Sequence, residues 1–214
     1  MAEIRAVCFD AFGTVVEITD KRRPFRTLLR SEAEAAAKRV LTRKVGLKNL
    51  AHELAISVGQ ANLARLEADL AAECASIRVR RGMDAIWATL QRAGLHIAIC
   101  SNLAEPYVGP LIDSLPDGPD AFALSCEEGL MKPQREIYQR VSTKLEIRLP
   151  QILFVGDSHE ADVQGPMAAG ALAMPIAEFE ASFASGPSIF APKRIVNLFE
   201  RIAAAKRTEK SASC

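Results

Sequence analysis

The sequence predicts an α/β fold built on a parallel sheet, and three observations carry that expectation. Five short apolar runs recur along the chain, at 6–10, 96–101, 121–125, 152–156 and 172–176. Each is apolar throughout, as in strands covered on both faces. Helical patterns lie between them, which is the alternation of parallel strands and crossover helices. Polar residues with chemical potential follow where several runs stop, and open parallel sheets bind ligands beyond the carboxyl ends of their strands.

The first run, AVCFD, ends on Asp10. A break in the pattern follows. Residues 17–81 are rich in Ala, Leu, Arg and Glu and hold no convincing strand, with helices expected on either side of Gly46 and Gly59. This stretch reads as a helical insert between the first and second strands; ordinary crossover helices of one compact body are the alternative. Core elements then resume over 82–203. Ile86, Trp87 and Leu90 share one helix face that stops at Gly94, a good C-terminal cap. Ile137, Val141 and Leu145 repeat at four-residue spacing and predict another amphipathic helix. The polar end, 204–214, is expected to fray as a flexible tail.

Composition narrows the function classes. With 214 residues, 49% of them hydrophobic, the chain can form one large domain or a core with a small insert. Basic and acidic residues number 27 and 26, giving a net charge of +1. Neither nucleic acid nor an anionic membrane surface is expected as a partner. There is no 18-residue apolar run and no apolar leader after Met1. The five cysteines lack paired spacing, and Cys8 and Cys100 lie in apolar runs as core residues. Reduced thiols in a cytoplasm fit this pattern. Homodimerisation is left open.

Four segments carry candidate chemistry. In AVCFDAFGTVVE, Asp10 at the strand end can be a nucleophile, a metal ligand or a turn residue. Gly13 gives a turn, and the Thr14 hydroxyl can orient an anion. In LHIAICSN, Ser101 and Asn102 can donate to a phosphoryl or carboxylate oxygen, or cap a helix near Glu105. In EEGLMKPQREIY, Lys132 precedes Pro133, a natural first-turn residue of a helix, and can neutralise charge in a strand-end pocket. In ILFVGDSHEADV, Asp157 and Asp162 share a strand-to-helix loop. Two acids there, facing Asp10, suit a hard cation such as Mg2+. His159 reads as a loop residue, because nothing pairs it with a nucleophile.

Together and in this order, the four segments resemble the haloacid dehalogenase superfamily, over roughly 4–17 and 81–176. The resemblance implies a Rossmann-like parallel sheet with helices on both faces. It also implies that 17–81 is a helical cap closing over the site. Asp10 would be the nucleophile, forming a covalent ester with a small anionic substrate. Ser101 and Asn102 would bind the transferred group, and Lys132 would stabilise developing charge. Mg2+ would be held by Asp10, the backbone carbonyl of Phe12, Asp157 and Asp162.

Two motifs point to different branches. Phosphatases of this superfamily carry Asp-x-Asp at the first motif, the second Asp moving the proton. Here the motif is Asp10-Ala11-Phe12, which resembles the 2-haloacid dehalogenases, whose halide needs no acid. Tyr138, six residues after Lys132, also resembles that branch but is common across the superfamily. Gly156-Asp157-Ser158 is the magnesium-type loop, whereas dehalogenases work without metal. Two uncompensated like charges about 4 Å apart repel by ~4 kcal/mol at an effective dielectric near 20, so a bound cation or poor haloacid binding follows. The basic cluster Lys21, Arg22, Arg23, Arg26 and Arg30 offers candidates for a substrate-facing arginine, or is solvated. The expected function is a Mg2+-dependent hydrolase of a small phosphorylated metabolite, slowed by Phe12. The alternatives are a metal-free 2-haloacid dehalogenase and a non-catalytic binding or regulatory protein.

Overall fold

The computed structural model describes residues 3–29, 34–188 and 191–212. The chain opens with β1 (Ala6–Phe9) and β2 (Val16–Ile18), then α1 (Pro24–Leu28), α2 (Glu34–Thr42), α3 (Leu47–Glu53) and α4 (Gln60–Ala75). β3 (Ile77–Val79), α5 (Met83–Arg92), β4 (His96–Ser101), α6 (Val108–Ser114), β5 (Ala121–Leu124), α7 (Ser125–Glu128) and α8 (Arg135–Leu145) follow. The last part holds β6 (Ile152–Gly156), α9 (Gly165–Ala169), β7 (Leu172–Pro175), α10 (Ile176–Ser185) and α11 (Lys193–Ala212). No helix among the described residues is long and apolar enough to cross a membrane.

Five parallel strands form one sheet in the order β5-β4-β1-β6-β7. This is the Rossmann-like α/β architecture expected from the alternating pattern. β1 is central, and the chain steps from it to β4 on one side and later to β6 on the other. The strand period of two sends alternate side chains to opposite layers, and in β1 and β4 it divides large from small. Val7, Phe9, Ile97, Ile99, Leu153 and Val155 face one layer, with Trp87 of α5, Phe179 of α10 and Phe199 of α11. Phe9 stacks on Trp87 at 6.3 Å and meets Phe179 edge-on at 5.6 Å. Ala6, Cys8, Ala98 and Cys100 face the other layer, where Ile137, Tyr138 and Val141 of α8 pack.

The insert carries a second core. Phe25, Leu28, Val40, Leu47, Leu50, Leu66 and Leu70 bury one another, and Ala104 from the sheet domain joins them. Contrary to the expectation of no strand here, β2 and β3 pair antiparallel, with Val16 opposite Val79 and Ile18 opposite Ile77. Three-residue strands 60 positions apart leave no readable period, and only their pairing defines them. The C-terminal tail also differs. α11 runs to Ala212 instead of fraying from 204, because Ile195, Leu198, Phe199, Ile202 and Ala205 form one buried stripe. Arg201 on that helix donates to the carbonyls of Ile4 and Ala93 at 2.9 and 3.0 Å.

Candidate active site

Asp10 directly follows β1, and its backbone N–H continues the ladder by donating to Val155 O at 2.9 Å. That contact places its carboxylate between the ends of β4 and β6. Oδ1 accepts from Lys132 Nζ at 2.7 Å and from Ser101 Oγ at 3.4 Å. Lys132, only 4% exposed, also donates to Asp162 Oδ1 at 2.6 Å. One ammonium therefore bridges two carboxylates. Burial pushes the pKa of Asp10 up, Lys132 opposes this, and Asp162 and Asp157 push it up further. Burial disfavours the Lys132 ammonium, but the Asp10 carboxylate and its neighbours outweigh it and raise its pKa above the ordinary lysine value.

Asn102 departs from its expected place on a substrate. Its Oδ1 accepts from the Lys132 backbone N–H at 2.8 Å, and its Nδ2 donates to the Lys132 carbonyl at 2.9 Å. Both ends of the amide are engaged, so Asn102 fixes Lys132. Nor do Ser101 and Asn102 cap the following turn, Glu105–Tyr107, which starts after Ala104 with no side-chain cap. Pro133 likewise precedes its helix, which begins at Arg135. Thr14 is fully buried, and its hydroxyl has no hydrogen-bond partner among the described residues. Its carbonyl instead accepts from Arg80 Nη1 at 2.7 Å, and Arg80 also pairs with Glu180 at 3.1 Å. Nothing in the sequence pattern singled out Arg80.

The loop after β6 turns on two glycines. Asp162 lies in a wide helical turn, His159–Gln164, and folds back beneath the strand end. A Cβ at Gly156 would lie 2.3 Å from Asp162 Cγ, so only glycine admits this path. Asp162 Oδ2 accepts from Ser158 N at 2.9 Å, and Tyr138 Oη holds the same turn by donating to the Ala161 carbonyl at 2.6 Å. Gly13, at φ +90°, has its missing Cβ 2.3 Å from Asp157 Oδ2. Asp157 itself is exposed, as is His159. Asp10, Asp157 and Asp162 each offer an oxygen within 4.8 Å of the others.

The Phe12 ring points toward the insert and meets Tyr107 edge-on at 5.9 Å. Tyr107 Oη donates to Glu73 Oε2 at 2.8 Å, and that carboxylate also accepts from Arg23 N at 3.2 Å. Glu73 and Tyr107 carried no signal in the sequence. Of the basic cluster, Arg22 pairs with Asp20 and Asp69, Arg23 and Arg26 line a cavity beside Phe12, and Arg30 lies outside the described residues.

Known structures and families match this arrangement. CbbY from Rhodobacter sphaeroides in complex with phosphate is 22% identical, covers 80% of this chain and 85% of its own, and superposes at TM-score 0.54. A haloacid-dehalogenase family enzyme from Bacteroides thetaiotaomicron in complex with magnesium and inorganic phosphate is 15% identical, covering 80% and 93%, at TM-score 0.55. An L-2-haloacid dehalogenase is 20% identical, covering 79% and 83%, at TM-score 0.53. At these identities the likeness speaks to fold. No curated protein matches the chain. The family model of haloacid dehalogenase-like hydrolases matches residues 4–170, nearly all of the strands and helices that build the site. The chain is therefore a member of the haloacid dehalogenase-like hydrolase family.

Proposed function

We propose that the chain hydrolyses small phosphorylated substrates through a covalent intermediate on Asp10, with Mg2+ at the acidic cluster. The charge balance around Asp10 carries this reading. Three carboxylates converge, and one buried ammonium, that of Lys132, faces them. An uncompensated charge excess in a partly buried site is costly, and an all-oxygen donor set suits a hard divalent cation. The residues thus fit Mg2+, with Asp10, Asp157, Asp162 and the Phe12 carbonyl to hold it. When bound, the ion would offset negative charge on the nucleophile and on the transferred group. The phosphate complexes of two neighbours support the same class of small anion.

The residues then divide the work. Lys132 and Ser101 hold Oδ1 of Asp10, so the other carboxylate oxygen attacks phosphorus. An acyl phosphate forms as the bond to the leaving-group oxygen breaks. Lys132 neutralises charge as it develops, and Asn102 keeps Lys132 in place. Phe12 has no proton to give, so the departing oxygen takes one from solvent. Water then cleaves the acyl phosphate at phosphorus, returning the Asp10 carboxylate and releasing inorganic phosphate. The insert serves as the cap that shields these steps.

Purified protein should release phosphate from an aryl phosphate in Mg2+, lose the activity in EDTA and regain it with Mg2+. Silence across a broad panel of phosphate esters would count against the proposal. A second reading, 2-haloacid dehalogenation, is favoured by Phe12, because halide departs without a proton. Metal-independent chloride release from L-2-chloropropionate would establish it in place of the first.

A further inference from the structure

We infer that the recess beside Phe12 receives the part of the substrate that is not transferred, and that this part is an aryl or branched alkyl group and not a polyol. The inference rests on the phosphoryl-transfer reading above. The recess has a volume of about 210 Å³, and its walls include Phe12, Ile18, Phe25, Val40, Leu103 and Tyr107. An apolar cavity of about 150 Å³ is enough for benzene, so a ring with a short substituent fits.

Two residues of the lining adjoin the residues of the reacting site. Phe12 lies two positions after Asp10, and Asn102, also in the lining, clamps the lysine that touches Asp10. Apart from the exposed guanidiniums of Arg23 and Arg26 at its border, the polar side-chain atoms of the lining are engaged elsewhere. Tyr107 gives its hydroxyl to Glu73, which is only 3% exposed, and so presents its ring to the recess. Asn102 has both ends of its amide on the Lys132 backbone. Away from those two arginines, sugar hydroxyls entering here would give up water without replacement partners, which disfavours them. The wall is also preformed, since Tyr107 packs against Phe12 at 5.9 Å and Phe25 at 6.3 Å. Arg23 and Arg26, both exposed, border the recess and favour the approach of an anionic ligand.

Calorimetric titration of the full chain in Mg2+ with phenylphosphonate and methylphosphonate tests the inference. The phenyl compound should bind about tenfold tighter or better, from ring burial alone. Leu41, a partly buried residue of the same lining, provides the variant. Leu41→Asn should remove most of the phenyl preference and leave methylphosphonate affinity unchanged. Equal affinities in the wild type would overturn the inference while leaving the phosphate reading intact. If neither phosphonate binds, the phosphate reading fails, and saturation-transfer NMR with neutral benzyl alcohol decides the recess by itself. Transfer that is lost in Leu41→Asn supports an apolar subsite; no transfer in the wild type overturns it.

Discussion

On the proposed phosphoryl-transfer reading, replacing Phe12 by aspartate should raise the rate of phosphate release. A positioned proton carrier is worth ~10²–10⁴-fold in rate, or about 3–5 kcal/mol of barrier. The structure sets two costs against that gain. Phe12→Asp removes the ring that meets Tyr107 at 5.9 Å. It also adds a carboxylate two positions after Asp10, in a site that already gathers Asp10, Asp157 and Asp162. At about 4 Å and an effective dielectric near 20, each like-charge pair repels by ~4 kcal/mol. That repulsion has a useful side, because it favours the protonated form that a general acid needs. The net expectation is a gain of about tenfold to a hundredfold. It should be larger for an alkyl phosphate, whose alkoxide needs the proton, than for a nitrophenyl phosphate, whose phenolate does not. Phosphate release at saturating Mg2+ measures the effect, and a melting curve establishes that the variant is folded. An unchanged or lower rate on the alkyl ester, in a folded variant, would refute this account of Phe12.

Three further outcomes follow from the site. Lys132→Met leaves Asp10 and Asp162 facing each other without the ammonium that bridges them at 2.7 and 2.6 Å; urea unfolding should show a loss of ~3–5 kcal/mol, with turnover abolished. Gly13→Ala forces a Cβ to within 2.3 Å of Asp157 Oδ2 in a left-handed backbone, so Mg2+ affinity by calorimetry should fall several-fold more than stability explains. Asp10→Asn should abolish turnover yet raise stability. The Asp10 pKa is raised in the fold, chiefly by burial, so its contribution to stability is complete below the ordinary carboxylate range and shrinks as pH rises through its folded value. The variant's stability advantage in metal-free buffer should therefore grow from acid pH toward neutral and then level; an advantage that shrinks with rising pH would contradict the assignment.

The sheet was legible because its central strands are buried on both faces, and short continuous apolar runs alternating with helical patterns mark such strands. Asp10, Ser101 and Asp157 were legible for the same reason, since the end of an apolar run announces where a side chain emerges into the ligand crevice. The β2–β3 ribbon was not, because three-residue strands carry no period and their pairing spans the whole insert. Asn102 was read as a substrate contact, for an amide's partner cannot be known before the chain brings Lys132 beside it. Glu73 and Arg80 were silent altogether. A charged residue in a helix or strand end looks solvated until tertiary packing sets it against a partner such as Tyr107 or the Thr14 carbonyl.

What the sequence by itself determined was the order of elements, the parallel sheet and the family, because these rest on local periodicity and on motifs a few residues long. The three-dimensional arrangement decided which polar groups meet. It gave Lys132 two carboxylates, turned Phe12 toward Tyr107, and took the hydroxyl of Tyr107 away to Glu73. Those contacts join residues tens of positions apart, and their energies depend on distance and burial, which a linear string does not contain.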